Sequence, residues 1–130
     1  MRGWMFAAAL LVAAPMGQAM AQDADAGQRV FNQCRACHTI NQGGRNGVGP
    51  NLHGVVGRAM ASVQGFNYSP AFRAKSAEIG EWEDTELRPY LDNPQAYVPG
   101  TRMVFQGFRG NQQQLSDVIA FLRQNGPQRN

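Results

Sequence analysis

The chain has 130 residues, of which 43% are hydrophobic, and a formal net charge of +3. This length fits one domain of roughly 100–150 residues rather than several. The small positive excess excludes a strongly basic nucleic-acid-binding protein and is compatible with brief contacts to acidic partners.

The N-terminal segment has the organisation of a secretory signal peptide. Arg2 precedes the apolar run "WMFAAALLVAAPMG", and Ala19 and Ala21 supply small residues before Gln22. A proline and a glycine interrupt this run before it reaches the roughly 20 apolar residues of a membrane-spanning helix. We therefore expect residues 1–21 to be cleaved, the protein to reside in the periplasm without stable membrane insertion, and residues 22–130 to form the mature domain. A retained amphipathic or anchor helix is the alternative.

The segment "DADAGQRVFNQCRACH" predicts the first helix. Asp23 or Asp25 is a suitable N-cap, and Val30, Phe31 and Cys34 have helical spacing. A glycine at position 27 would allow another helix to cross closely.

Both cysteines of the chain lie at the end of this segment. Cys34, Cys37 and His38 form C-x-x-C-H, the attachment signature of c-type haem. The two thiols can reach the two vinyl groups on one porphyrin edge, and the imidazole can bind the iron. The alternatives are a redox dithiol, which lacks the expected strand-rich context, and a zinc site that also uses His53.

Haem iron has a second axial position, and the methionines offer candidates for it. Four of the six methionines belong to the predicted leader, so Met60 and Met103 remain. Met103 lies in "YVPGTRMVFQGF", where a proline and a glycine predict a loop, but a methionine can also simply fill a core. His53 is interpreted as a surface or loop histidine.

Two further helices are predicted. The segment "DTELRPYLDN" is expected to begin at an Asp84 cap and to end before Pro94, with Pro89 in its first turns or at a bend. In "NQQQLSDVIAFLRQNG", apolar residues recur with helical spacing, and Gly126-Pro127 ends the helix. The first and last helices are expected to cross with Phe31 against the 118–122 stripe, and the rest of the chain to be Gly-rich loop.

The sequence resembles the class I c-type cytochromes, in particular the cytochrome c2 and mitochondrial cytochrome c branch. The resemblance spans the mature chain and is carried, in the order of the family, by "GQRVFNQCRACH", "GVGPNLHGVVGR", "GFNYSPAF", "GEWED", "LRPYLDNPQAYVPGTRMVF" and "LSDVIAFLRQ". It implies a small all-α class I cytochrome c fold, with a few helices and Gly-rich loops wrapped around one covalently bound haem c.

The resemblance also implies a role for each matching residue. Cys34 and Cys37 hold the haem covalently, and His38 and Met103 bind its iron. The family's proline carbonyl that accepts a hydrogen bond from the iron-binding histidine corresponds to Pro50, and the tyrosine near the methionine sulfur corresponds to Tyr90. The residues matching those that hold the haem propionates are Arg58, Tyr68, Trp82 and Thr101.

One departure from the family concerns the basic residues. The family usually has lysine where this chain has Arg102, and Lys75 is the only lysine here. A docking face for acidic partners would therefore be built from arginines, namely Arg35, Arg45, Arg102 and Arg109, with Arg123 as a further candidate.

The expected function is one-electron transport by a monomer that is not an enzyme. Its transient partners would be membrane redox complexes: a bc1-type quinol-oxidising donor and a terminal oxidase or photosynthetic reaction centre as acceptor. The alternatives are a haem subunit of a periplasmic dehydrogenase complex, and a haem peroxidase or gas sensor with an open sixth position.

Overall fold

Five helices form the regular structure of the described part of the chain. The computed structural model describes residues 3, 7–12 and 22–127, so the predicted leader lies largely outside the described residues. The helices are α1 (Ala24–Phe31), α2 (Pro70–Ile79), α3 (Asp84–Asp92), α4 (Pro94–Tyr97) and α5 (Gln112–Gln124). An isolated antiparallel bridge joins Ala59 and Glu81. No helix in these ranges is long and apolar enough to cross a bilayer.

The first and last helices cross, as predicted. Asp23 caps α1 by accepting from the backbone N–H groups of residues 25 and 26, which identifies it rather than Asp25 as the N-cap. At the crossing, a Cβ on Gly27 would overlap the carbonyl oxygen of Asp117, so only glycine allows this close approach. The Phe31 ring lies 5.1 Å from the Phe121 ring, inside the predicted stripe. The predicted apolar face of α5 is buried.

The helix α2 was not predicted; its segment was expected to be loop. Ser69 caps it through a 3.0 Å hydrogen bond from the backbone N–H of Phe72, and Pro70 occupies its first turn. Phe72 is its only buried residue, so apolar periodicity is weak along this segment. The short helix α4 was also expected to be loop, and it too begins at a proline.

The helix α3 occupies the predicted segment, but its cap differs. Glu83 is the N-cap and makes no side-chain capping hydrogen bond, whereas Asp84 is the first helical residue. A carboxylate in the first turn interacts favourably with the helix dipole, so Asp84 remains suited to this end. Pro89 lies inside the helix, which ends at Asp92 before Pro94 as expected.

We predict that Gly27→Ala destabilises the protein by about 1–3 kcal/mol, because the added methyl group must separate α1 from α5. Alanine has a higher helix propensity than glycine by about 1 kcal/mol, so a destabilised variant would show that the clash dominates. Urea unfolding of the purified holoprotein measures the change. The control is Gln28→Ala at the adjacent, exposed position. A Gly27→Ala protein as stable as this control would contradict the close crossing.

Candidate functional site

A cavity of about 620 Å³ lies between the helices and loops. Its lining contains all ten residues to which the sequence assigned a role: Cys34, Cys37, His38, Pro50, Arg58, Tyr68, Trp82, Tyr90, Thr101 and Met103. The two alternative ligands considered from the sequence, Met60 and His53, are not among the lining residues. Met60 is buried in the hydrophobic core.

The C-x-x-C-H motif follows α1 instead of forming its last turn. The helix ends at Phe31, and the chain continues through turns in which the N–H groups of Cys37 and His38 both donate to the Cys34 carbonyl, at 3.1 and 3.0 Å. This turn brings both thiols and the imidazole to the cavity. A turn, and not a continuation of α1, therefore brings the three side chains of the motif together.

The cysteines do not have the properties of a redox dithiol. Both are free and half-buried. Burial raises the pKa of the Cys34 thiol to about 11, whereas the attacking thiol of a redox dithiol has a lowered pKa. His53, the fourth ligand that the zinc alternative needs, does not line the cavity with Cys34, Cys37 and His38.

His38 is held in one tautomer and one orientation. Its Nδ1 lies 2.7 Å from the carbonyl oxygen of Pro50. Because a carbonyl can only accept, Nδ1 carries the proton, which leaves Nε2 with a free lone pair for a metal. Burial lowers the pKa of His38, which favours the neutral ring that metal binding requires. A Cβ on Gly49 would overlap the imidazole, so glycine at this position makes room for the ring.

Met103 lies in the loop after α4 and is oriented by polar neighbours. The Tyr90 hydroxyl lies 3.2 Å from the Met103 sulfur and 3.4 Å from Thr101 Oγ1. The Met103 carbonyl accepts a 2.6 Å hydrogen bond from the side chain of Gln95. Gly100 has φ +89°, a left-handed conformation that allows the turn before this loop. The thioether is thus presented to the cavity by a loop whose shape is fixed at several points.

One part of the cavity wall offers hydrogen-bond donors. Arg58 donates through Nη1 to the carbonyls of Asn51 and His53, both at 3.0 Å, while its Nε is buried without a protein partner. The Tyr68 hydroxyl accepts from the N–H of Val63 at 3.1 Å, which leaves its own proton available. Trp82 is only 5% exposed. A buried donor without a partner is costly, so these residues suit the acidic substituents of a bound group.

Aromatic rings form much of the remaining wall, and three of them, Phe66, Phe72 and Phe105, were not identified from the sequence. Tyr68 stacks on Phe72 with ring centroids 5.3 Å apart, and Phe66 meets Tyr68 edge-on at 4.8 Å. Phe66 and Phe72 flank Tyr68 in "GFNYSPAF", so the density of aromatic residues was the available signal. With these apolar walls, two thiols, an imidazole, a thioether and acid-binding donors, the cavity fits a flat, largely apolar, iron-containing group with acidic substituents.

Comparisons with known proteins agree with this chemistry. The family model described as cytochrome c matches residues 24–126. The chain is 42% identical to cytochrome c2 of Blastochloris viridis over 88% of its own length and 87% of that protein. It is 40% identical to cytochrome c-554 of Methylosinus trichosporium, covering 92% of this chain and 89% of the relative.

A solved structure gives the same result for the fold. The structure of cytochrome c2 from Rhodospirillum centenum aligns with a TM-score of 0.75 and 33% identity, covering 81% of this chain and 99% of that one. The predicted all-α class I fold is therefore confirmed, and so is the predicted covalent haem c. The chain belongs to the cytochrome c family, whose members bind one haem c covalently through C-x-x-C-H and serve in electron transport.

Proposed function

We propose that this protein is a periplasmic one-electron carrier in which Cys34 and Cys37 hold the haem and His38 and Met103 bind its iron. The observation that carries the proposal is that these four side chains line one cavity. Haem iron, when bound, supplies a one-electron couple between the ferric and ferrous states. A thioether ligand and an apolar surrounding both favour the ferrous state, which raises the reduction potential.

The other lining residues orient the two ligands and bind the acidic groups. Pro50 fixes the tautomer of His38, and Tyr90 and Thr101 orient the Met103 sulfur. Arg58, Tyr68, Trp82 and Thr101 would supply donors for the propionates, and the buried Nε of Arg58 would gain a partner in this way. Because the protein provides these contacts before the electron arrives, its polar groups need little rearrangement when the iron changes charge.

A carrier is favoured over a haem enzyme by the residues around the sixth position. An enzyme of the peroxidase type needs an acid–base group near an open coordination position. The only other histidine of the sequence, His53, does not line the cavity. Met103 does line it, and its sulfur accepts a hydrogen bond from the Tyr90 hydroxyl. We therefore assign a redox role without a substrate pocket, and transient partners consisting of a quinol-oxidising complex and an oxidase or photosynthetic reaction centre.

Docking would use the mouth of the cavity. Val48 and Val104 line the cavity and are 77% and 83% exposed, so they present apolar surface at its rim. Arg45 and Arg102 lie near them in the chain and are exposed. Apolar contact surrounded by charge suits an association in which electrostatics raise the encounter rate more than the affinity.

We predict that the exported protein begins at Gln22 and carries one haem bound through both cysteines. Mass spectrometry of periplasmic protein measures both properties at once. The Cys34→Ala/Cys37→Ala protein should carry no covalent haem. An intact chain with free thiols, or one with bound zinc, would contradict the proposal.

We predict that Met103→Ala abolishes the weak near-infrared-edge absorption of the iron–methionine bond in the ferric protein. The same substitution should allow small ligands such as cyanide or imidazole to bind, because it removes the sixth ligand. Met60→Ala is the matched control and should keep the absorption, since Met60 packs in the core. The assignment is wrong if the two variants behave in the opposite way.

We predict that electron transfer to an acidic oxidase fragment slows as ionic strength rises, because salt screens the arginine charges. Arg102→Gln should lower the second-order rate at low salt on the order of a few-fold. Arg29→Gln, which removes an exposed charge on α1 outside the cavity lining, is the control. Rates that are independent of salt and of the Arg102 substitution would indicate purely apolar docking.

A further inference from the structure

One peptide group in the loop after the haem motif is hydrogen-bonded at both ends. The carbonyl of Pro50 accepts from His38 Nδ1 at 2.7 Å. The N–H of the same peptide belongs to Asn51 and donates to the side-chain Oδ1 of Asn46 at 2.8 Å. In a trans peptide these two groups point in opposite directions within the peptide plane, so His38 and Asn46 lie at opposite edges of one rigid unit.

We propose that Asn46 is a positioning residue that sets the electron-donor strength of His38 through the Pro50–Asn51 peptide. This inference rests on the proposed role of His38 as an iron ligand. An acceptor at the N–H end of a peptide increases the negative charge on its carbonyl oxygen, because hydrogen bonds in a chain polarise one another. The more negative Pro50 carbonyl draws the Nδ1 proton more strongly, so the ring donates more electron density to iron and stabilises the ferric state.

The orientation of the Asn46 side chain is determined by its two neighbours. Its Oδ1 faces a donor, the N–H of Asn51, and its Nδ2 faces an acceptor, the carbonyl of Gln64, at 3.4 Å. A flipped amide would place donor against donor and acceptor against acceptor. The side chain is half-buried, and its loop is held by a 2.9 Å hydrogen bond from the Gly47 N–H to the Gly49 carbonyl. These contacts hold the Asn46 amide with its oxygen towards the Asn51 N–H.

The longer hydrogen bond from Asn46 to the Gln64 carbonyl links this loop to a second loop. Gln64 belongs to the loop that precedes Tyr68, eighteen residues from Asn46 in the chain. The series therefore runs from the Gln64 carbonyl through Asn46 and one peptide plane to the imidazole. Asn46 also lines the cavity, beside His38 and Pro50, so this series of hydrogen bonds lies in the cavity wall.

The test compares reduction potentials of purified holoproteins. Asn46→Ala removes the acceptor and should raise the potential, because His38 becomes a weaker donor. Asn46→Asp keeps the acceptor and adds charge, so it should lower the potential. Asn41 is exposed in the same loop, five positions earlier, and Asn41→Ala and Asn41→Asp are the matched controls. We expect each Asn46 shift to exceed that of the corresponding control.

A second measurement follows the imidazole itself. In the ferrous protein, the NMR resonance of the His38 Nδ1 proton should move downfield in Asn46→Asp and upfield in Asn46→Ala, as its hydrogen bond strengthens or weakens. If Asn46→Ala does not fold, the Nδ1 resonance of Asn46→Asp, compared with that of Asn41→Asp, still decides the question, because it reports the His38 hydrogen bond itself.

Two results would overturn the inference. One is a potential in Asn46→Asp equal to that of Asn41→Asp, which would leave only a through-space charge effect. The other is an unshifted potential and Nδ1 resonance in an Asn46→Ala protein of reduced stability, which would make the residue purely structural. Failure of the proposed function is distinguishable from both, because the wild-type protein would then lack a reversible one-electron couple.

Discussion

The rest of the structure depends on one constraint: several residues of the hydrophobic core also form the wall of the cavity. Tyr68, Phe72, Trp82, Leu87 and Tyr90 belong both to the hydrophobic core and to the lining of the cavity. In the described part of the chain, five helices are joined by loops without regular hydrogen bonding, and aromatic side chains in and beside these loops pack against one another. Part of the apolar area that stabilises the fold therefore also lines the haem cavity, whereas the packing of Phe31 against Phe121 lies outside it. Binding and folding are coupled because one set of contacts serves both.

The cavity also combines apolar walls with polar and metal-binding side chains, and a different local segment positions each of these side chains. The thiols and the imidazole are brought together by a turn after α1, and the thioether by a loop after α4. The unpartnered Nε of Arg58 is buried on the remaining side. An apolar cavity with a few convergent polar groups is the usual form of a cofactor site. In the proposed assignment these polar groups divide into iron ligands and propionate donors, and one orientation of the haem would satisfy both.

The sequence predicted the site better than it predicted the helices. Residues such as Cys34, His38 and Met103 lie in short segments whose order and spacing are specific, so their meeting in one cavity followed from the family resemblance. The helix α2 was missed because a helix that buries only Phe72 has little apolar periodicity, although Ser69 and Pro70 were valid start signals. The N-cap of α3 was predicted as Asp84 but is Glu83, because two acidic residues are adjacent at this helix start. Asn46 was overlooked because its importance depends on which peptide N–H it meets, and this is decided only when the loop has folded.

The crossing of α1 and α5 has a consequence for the time at which the protein can fold. The backbone N–H of Asp23 donates to the Asp117 side chain across 94 positions of sequence, and Gly27 packs against the same turn of α5. Helix α1 therefore cannot pack against α5 until the residues of α5 have been made. Closing so large a loop is entropically costly and slows folding compared with a protein of local contacts. Until this contact forms, the cysteines after α1 stay accessible, so covalent attachment of the haem can precede closure.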